Sequence, residues 1–102
     1  MLKSQAERED WVMGTMVKIH GAIVDSWLEL SGPAGRGPRV VLQLATKERP
    51  RDLLIVEAEM SLVERDWLQD LGENLCHGSP VAAIGLVQNS GLIQATHLQF
   101  AR

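Results

Sequence analysis

Five cations fall close together in the first half of the chain: Arg36 and Arg39, in and beside a segment rich in glycine and proline, then Lys47, Arg49 and Arg51. A guanidinium offers a fork of N–H donors that matches two oxygens of one phosphate, and an ammonium offers a compact point charge. At this density the cluster points to contacts with a polyanion. Trp27 lies just before the glycine- and proline-rich segment, where an exposed indole would stack on a base and a buried one would close the end of a fold. The cations also suit a plainer role, since a charged, solvated hairpin turn keeps a domain soluble and discourages edge pairing.

Other reactive side chains form no such pattern. Cys76 and His77 are adjacent, which is poor chelating spacing, and His20 and His97 are far away along the chain, so no metal ion is expected. The glycines of residues 31–38 are not followed by Gly-Lys-Ser or Gly-Lys-Thr and lead into a strand, unlike a phosphate-binding loop. Glu57 and Glu59 would share one strand face as a carboxylate pair, but outward-facing charges explain them more simply. No nucleophile elbow or paired catalytic motif is present. The chain is therefore expected to be no enzyme and to need no cofactor.

The net charge of −3 argues against a nucleic-acid binder when taken alone, because phosphate neutralisation supplies most non-specific affinity. The average hides a division. Residues 14–51 hold six basic and three acidic side chains, a local +3, and residues 52–102 hold two basic and seven acidic, a local −5. An anionic ligand is expected near the first half.

At 102 residues, 45% hydrophobic and 23% charged, the chain has the composition of one globular domain. Residues 1–12 form a polar segment without the apolar core of a secretory signal, and residues 13–102 form the domain. The longest uncharged stretch, residues 75–97, is broken by glycine, proline and asparagine, so no membrane span is expected. One cysteine allows no internal disulfide, and the cytoplasm is the expected compartment.

Residues 13–30 alternate with the period of a strand, Val17, Ile19 and Ile23 on one face and Lys18, His20, Ala22 and Val24 on the other, with Gly14 and Gly21 as places to coil or bulge. Residues 40–45 and 53–58 are short, branched, apolar runs joined by a charged turn. Val63, Trp67 and Leu71 repeat at helical spacing, with Ser61 and Glu64 as a capping box and Gly72 as the stop. Residues 81–87 and 92–100 form a second hairpin around Gln88-Asn-Ser-Gly91.

This order of elements, with Gly78-Ser-Pro-Val-Ala-Ala-Ile-Gly-Leu-Val87 and Gly91-Leu-Ile-Gln-Ala-Thr-His-Leu98 as the last two strands, resembles the OB-fold family of nucleic-acid-binding domains over residues 13–100. The resemblance implies an all-β fold: a five-stranded Greek-key barrel with one capping helix between strands 3 and 4. It also implies a ligand laid across strands 2 and 3 and the loops joining strands 1–2 and 4–5. In those two strands Gln43, Glu57 and Glu59 are expected outward, with no aromatic platform beside them. The leading expectation is a binding module for single-stranded nucleic acid, DNA or RNA, with Arg36, Arg39, Lys47, Arg49 and Arg51 on phosphates and Trp27 stacking. The alternative is a protein-interaction or scaffolding OB domain, including a homo-oligomer, that buries Val41, Leu53 and Ile55 against its partner.

Overall fold

The computed structural model describes residues 14–30, 37–48 and 50–101. Five strands form a closed barrel: β1 (Met16–Glu29), β2 (Arg39–Ala45), β3 (Leu54–Glu59), β4 (Pro80–Val87) and β5 (Ile93–Phe100), in the spatial order β1-β2-β3-β5-β4. A 3-10 turn at Met60–Leu62 and one helix, α1 (Arg65–Gly72), lie between β3 and β4. This is the OB-type Greek-key barrel that the order of apolar runs implies.

Closure depends on β1, which serves two neighbours. Its first half pairs antiparallel with β4, from Met16 opposite Leu86 to Ala22 opposite Pro80. Its second half pairs with β2, from Ala22 opposite Ala45 to Glu29 opposite Arg39. A strand shared in this way must coil sharply, and Gly21 permits it: a Cβ there would stand 2.8 Å from the Ala45 carbonyl oxygen. Next, the register with β2 shifts between Ile23 and Asp25, so Val24 is the extra residue of a bulge. The bulge exchanges the two faces. Ile19 and Ile23 point into the core before it, and Ser26 and Leu28 turn inward after it, leaving Asp25, Trp27 and Glu29 outside. Strict alternation from Ile23 would have put those three residues in the core.

The barrel interior is aliphatic, centred on Ile23, Leu42, Leu44, Val56 and Ile93. The last seam is short, with β3 and β5 pairing in parallel only at Val56 opposite Ile93 and Glu57 opposite Gln94. A second bulge between Ile84 and Gly85 bends the β4–β5 hairpin, and a Cβ at Gly85 would run into the Gln94 carbonyl and the Ala95 Cα.

The helix starts later than its expected cap. Ser61 belongs to the 3-10 turn, Val63 is extended, and Glu64 is the N-cap residue without a side-chain cap hydrogen bond. The Ser61–Glu64 capping box does not form, because the chain first crosses the barrel end, tied by the Met60 amide donating to the Pro38 carbonyl at 3.2 Å. Leu71 is fully buried and Val63 nearly so, and burying each such side chain stabilises by roughly 1.5–3 kcal/mol. Trp67, one turn before Leu71 on the helix, is half-buried, packed on the core's edge and stacked on Phe100 with ring centroids 4.9 Å apart. The far end of α1 is pinned to β1. Ser26 Oγ donates to the Leu71 carbonyl at 2.7 Å, and the Ser26 amide donates to Asn74 Oδ1 at 3.2 Å. Asn74 takes a left-handed φ of 58°, which asparagine accepts more readily than most residues. Among the described residues no helix is long and apolar enough to cross a membrane.

Candidate nucleic-acid interface

The outer surface divides where β1 changes partner. Beyond the bulge, the outer faces of β1, β2 and β3 line up in three rows: Asp25, Gln43 and Ile55; Trp27, Val41 and Glu57; Glu29, Arg39 and Glu59. Four carboxylates meet one guanidinium across these rows. The centre of this face is also closed. Val41 is 4% exposed although it lies outside the barrel core, Arg39 is 6% exposed and Glu57 is 5% exposed.

Arg39 is therefore not the solvent-facing phosphate ligand that its place beside the glycine-rich segment suggested. It is the first residue of β2, and its Nε lies 3.2 Å from Glu57 Oε1. Glu57, expected outward and solvated, is the buried partner of that pair. Charges so far from water persist only when paired, so the two residues hold β2 to β3. Trp27 is half-buried on the same face, and its indole N–H donates to Glu29 Oε1 at 3.2 Å. Gln43 and Ile55 are half-buried and only Glu59 is exposed, so the middle of strands 2 and 3 offers neither an open platform nor a positive one, and the cleft of about 270 Å³ at the far end of the face sets Glu59 beside Arg39.

The other half of the barrel is different. The outer face of β1 before the bulge carries Met16, Lys18 and His20, all exposed, opposite Leu86, Ile84 and Ala82 of β4. Residues 80–100 contain no Asp, Glu, Lys or Arg, so among the described residues Lys18 is the only full charge on the outer face that β1, before its bulge, shares with β4 and β5. Lys47 and Arg51 are exposed in the turn between β2 and β3. Arg36 and Arg49 lie outside the described residues.

Two clefts connect that turn with the acid-poor face. One, of about 440 Å³, is lined by His20, Gly21, Ala22, Ala45, Lys47 and Glu48. The second, of about 250 Å³, is lined by His20, Gly21, Pro80, Val81, Ala82, Gln99, Phe100 and Ala101. They share His20 and Gly21 and so form one furrow across β2, β1, β4 and β5. Its floor is low because the residues there are glycine and alanine, and Gly21 could not be larger. Glu48 is the sole carboxylate in either lining.

The structure thus places Lys47 on a groove, with Arg51 exposed in the same turn, and separates them from Trp27 and Arg39. In the sequence Lys18 and His20 read only as the polar side of a strand, and His20 as a poor metal ligand. The alternation Lys18, His20, Ala22 opposite an uncharged hairpin is the signal that could have marked the groove. Among the described residues no group of three His, Cys, Asp or Glu side chains is placed to hold a metal ion.

No protein-family model matches the sequence, and no curated protein matches it. A solved structure described as the dimeric structure of the N-terminal domain of PriB protein from Thermoanaerobacter tencongensis is similar to the chain, with a TM-score of 0.54 and 20% identity, covering 85% of this chain and 96% of that one. At that identity the likeness concerns the fold.

Proposed function

We propose that the chain is a non-catalytic, cytoplasmic OB module that binds single-stranded nucleic acid in the furrow between the β2–β3 turn and the β1–β4 face. The observation that carries this reading is the sorting of charge: the open groove is lined by Lys47, with Lys18 two residues from His20 on the same face and Arg51 in the same turn as Lys47, whereas the acidic residues of the strands crowd the closed face. Phosphates are attracted to the first region and repelled by the second. Lys18, Lys47, Arg49 and Arg51 make the phosphate contacts, and Arg36, which precedes the opposite end of β2 in the sequence, is not counted among them. Trp27 and Arg39 drop out of the contact set, the first hydrogen-bonded to Glu29 and the second paired with Glu57.

The test is a fluorescence titration of an unstructured oligonucleotide over a range of salt. Four phosphate contacts give a log–log slope of about −2.8, at about −0.7 for each single-strand contact. Phosphate contacts position a strand without reading it, so affinity varies little with base sequence. Absence of binding to both DNA and RNA at high-micromolar protein ends this reading.

A second reading has its own observation. Met16 is 53% exposed, Leu86 opposite it is 37% exposed, and half-buried Ile84 lies alongside, an apolar patch on the face that carries almost no charge. The similar solved structure is described as dimeric. Two copies pairing this patch isologously would bury it. Val41, the aliphatic residue expected to serve in such contacts, is already covered within one chain. Light scattering should then give a dimer that Leu86→Glu dissociates, and a strictly monomeric wild-type chain would remove this reading.

A further inference from the structure

We infer that His20 is the stacking platform of the groove, its imidazole lying flat against one base of the bound strand. This rests on the nucleic-acid reading above and goes beyond it, because that reading requires only phosphate contacts and leaves the bases unassigned.

His20 is exposed and, with Gly21, is the residue common to both clefts, so it stands at the middle of the furrow. Three of its outer-face neighbours are short: Ala82 opposite it on β4, Ala22 two residues along β1, and Ala45 next to Ala22 on β2; the long ones are Lys18 and Gln99, both exposed. The alanines leave the imidazole uncovered on their side, and the Ala45 carbonyl keeps Gly21 from carrying a side chain. The ring is also uncommitted. Among the described residues His20 makes no side-chain hydrogen bond or ion pair, whereas His97 Nδ1 lies 3.0 Å from Thr96 Oγ1. An exposed, flat, unheld ring above a floor of glycine and alanine is what an unstacked base needs, and histidine serves in this role beside phenylalanine, tyrosine and tryptophan.

The rest of the furrow fits a strand passing over that ring. Lys47 lines the first cleft, placed to meet a phosphate on one side of the stacked nucleotide. Phe100 lines the second cleft from the core-facing side of β5, half-buried and backed by Trp67. The furrow spans four neighbouring strands, about 14 Å at the usual spacing of sheet strands, which is room for a short run of nucleotides. Stacking of this kind tolerates any base, because every base has a π-face. The ligand class is therefore an unstructured single strand without a preferred sequence, held by one histidine and a few cations in a protein with only four Trp and Phe side chains and no tyrosine.

The test uses the full chain and a single-stranded oligonucleotide carrying 2-aminopurine, whose fluorescence is quenched on stacking. His20→Ala should weaken binding about tenfold and relieve part of the bound-state quenching. His20→Phe should restore affinity to within about twofold of wild type, together with the quenching. Neither variant should change the salt slope, whereas Lys47→Ala should make it shallower by about 0.7. Matching circular dichroism and melting curves check that both His20 variants are folded. If His20→Ala binds as tightly as wild type while Lys47→Ala lowers the slope, nucleic acid occupies the groove but His20 does not stack, and the inference fails alone. A slope change in His20→Ala equal to that of Lys47→Ala would also overturn it, since the ring would then be acting as a cation. Failure of the wild-type chain to bind any strand overturns this inference together with the reading beneath it.

Discussion

The two halves of β1 belong to opposite surfaces, and the contrast teaches how one bulge can move a binding site. Before Val24, Lys18 and His20 face outward over an uncharged hairpin. After it, Asp25, Trp27 and Glu29 face outward over Arg39, Glu57 and Glu59. The second surface holds most of the ingredients a ligand site is expected to have on this barrel, an indole and an arginine on strands 1 and 2. It uses them internally, in a hydrogen bond and a buried ion pair. The first surface has fewer such groups but leaves them in contact with solvent. Availability, more than residue type, separates them.

The largest effect should come from breaking the closed face. Glu57→Ala would leave Arg39 charged and buried without its partner, costing about 3–5 kcal/mol in urea unfolding. The double replacement of Arg39 and Glu57 by leucine should recover most of that loss, because an aliphatic pair of similar volume pays no desolvation penalty. If Glu57→Ala costs under about 0.5 kcal/mol, the face is open and the contrast between the two surfaces is wrong.

Next in size is Trp67→Ala. It removes the ring behind Phe100 and should cost about 3 kcal/mol, at the low end for a large aromatic because Trp67 is only half-buried. The same variant should weaken oligonucleotide binding modestly, since Phe100 lines the groove. Gly21→Ala sharpens the comparison at the point where the halves meet. Its Cβ would press on the Ala45 carbonyl, and the resulting strain should lower stability by about 1–3 kcal/mol in thermal unfolding. Smallest in energy is charge removal in the β2–β3 turn: Lys47→Ala and Arg51→Ala should leave the melting temperature within error while each flattens the salt dependence by about 0.7.

Much of the barrel was legible because it rests on local rules. The branched runs that become β2 and β3, the Asn-Ser-Gly turn between β4 and β5, and the helical spacing of Trp67 and Leu71 each carry their own signal, although Val63, one turn earlier in that spacing, is extended. What escaped was set by contacts between distant residues. Nothing near Val24 in the sequence marks a bulge, because the extra residue is defined by the register against Leu44 and Gln43 of β2. Arg39 reads as a loop cation because its partner, Glu57, is eighteen positions away. The capping box at Ser61 is a sound local pattern that lost to the Met60–Pro38 hydrogen bond. The basic turn was visible, but the groove it opens on depends on the pairing of Ala22 with both Ala45 and Pro80.

The central claim is that ligand lies on the first surface and not on the second, and backbone amide shifts in nuclear magnetic resonance spectra test it most directly. A short unstructured oligonucleotide titrated into the labelled chain should move the amides of residues 18–22, 45–51, 80–82 and 99–101, leaving 25–29, 39–43 and 55–59 near their free positions. Shifts concentrated in the second set, with His20 and Lys47 unmoved, would put the ligand across strands 2 and 3 and contradict the account.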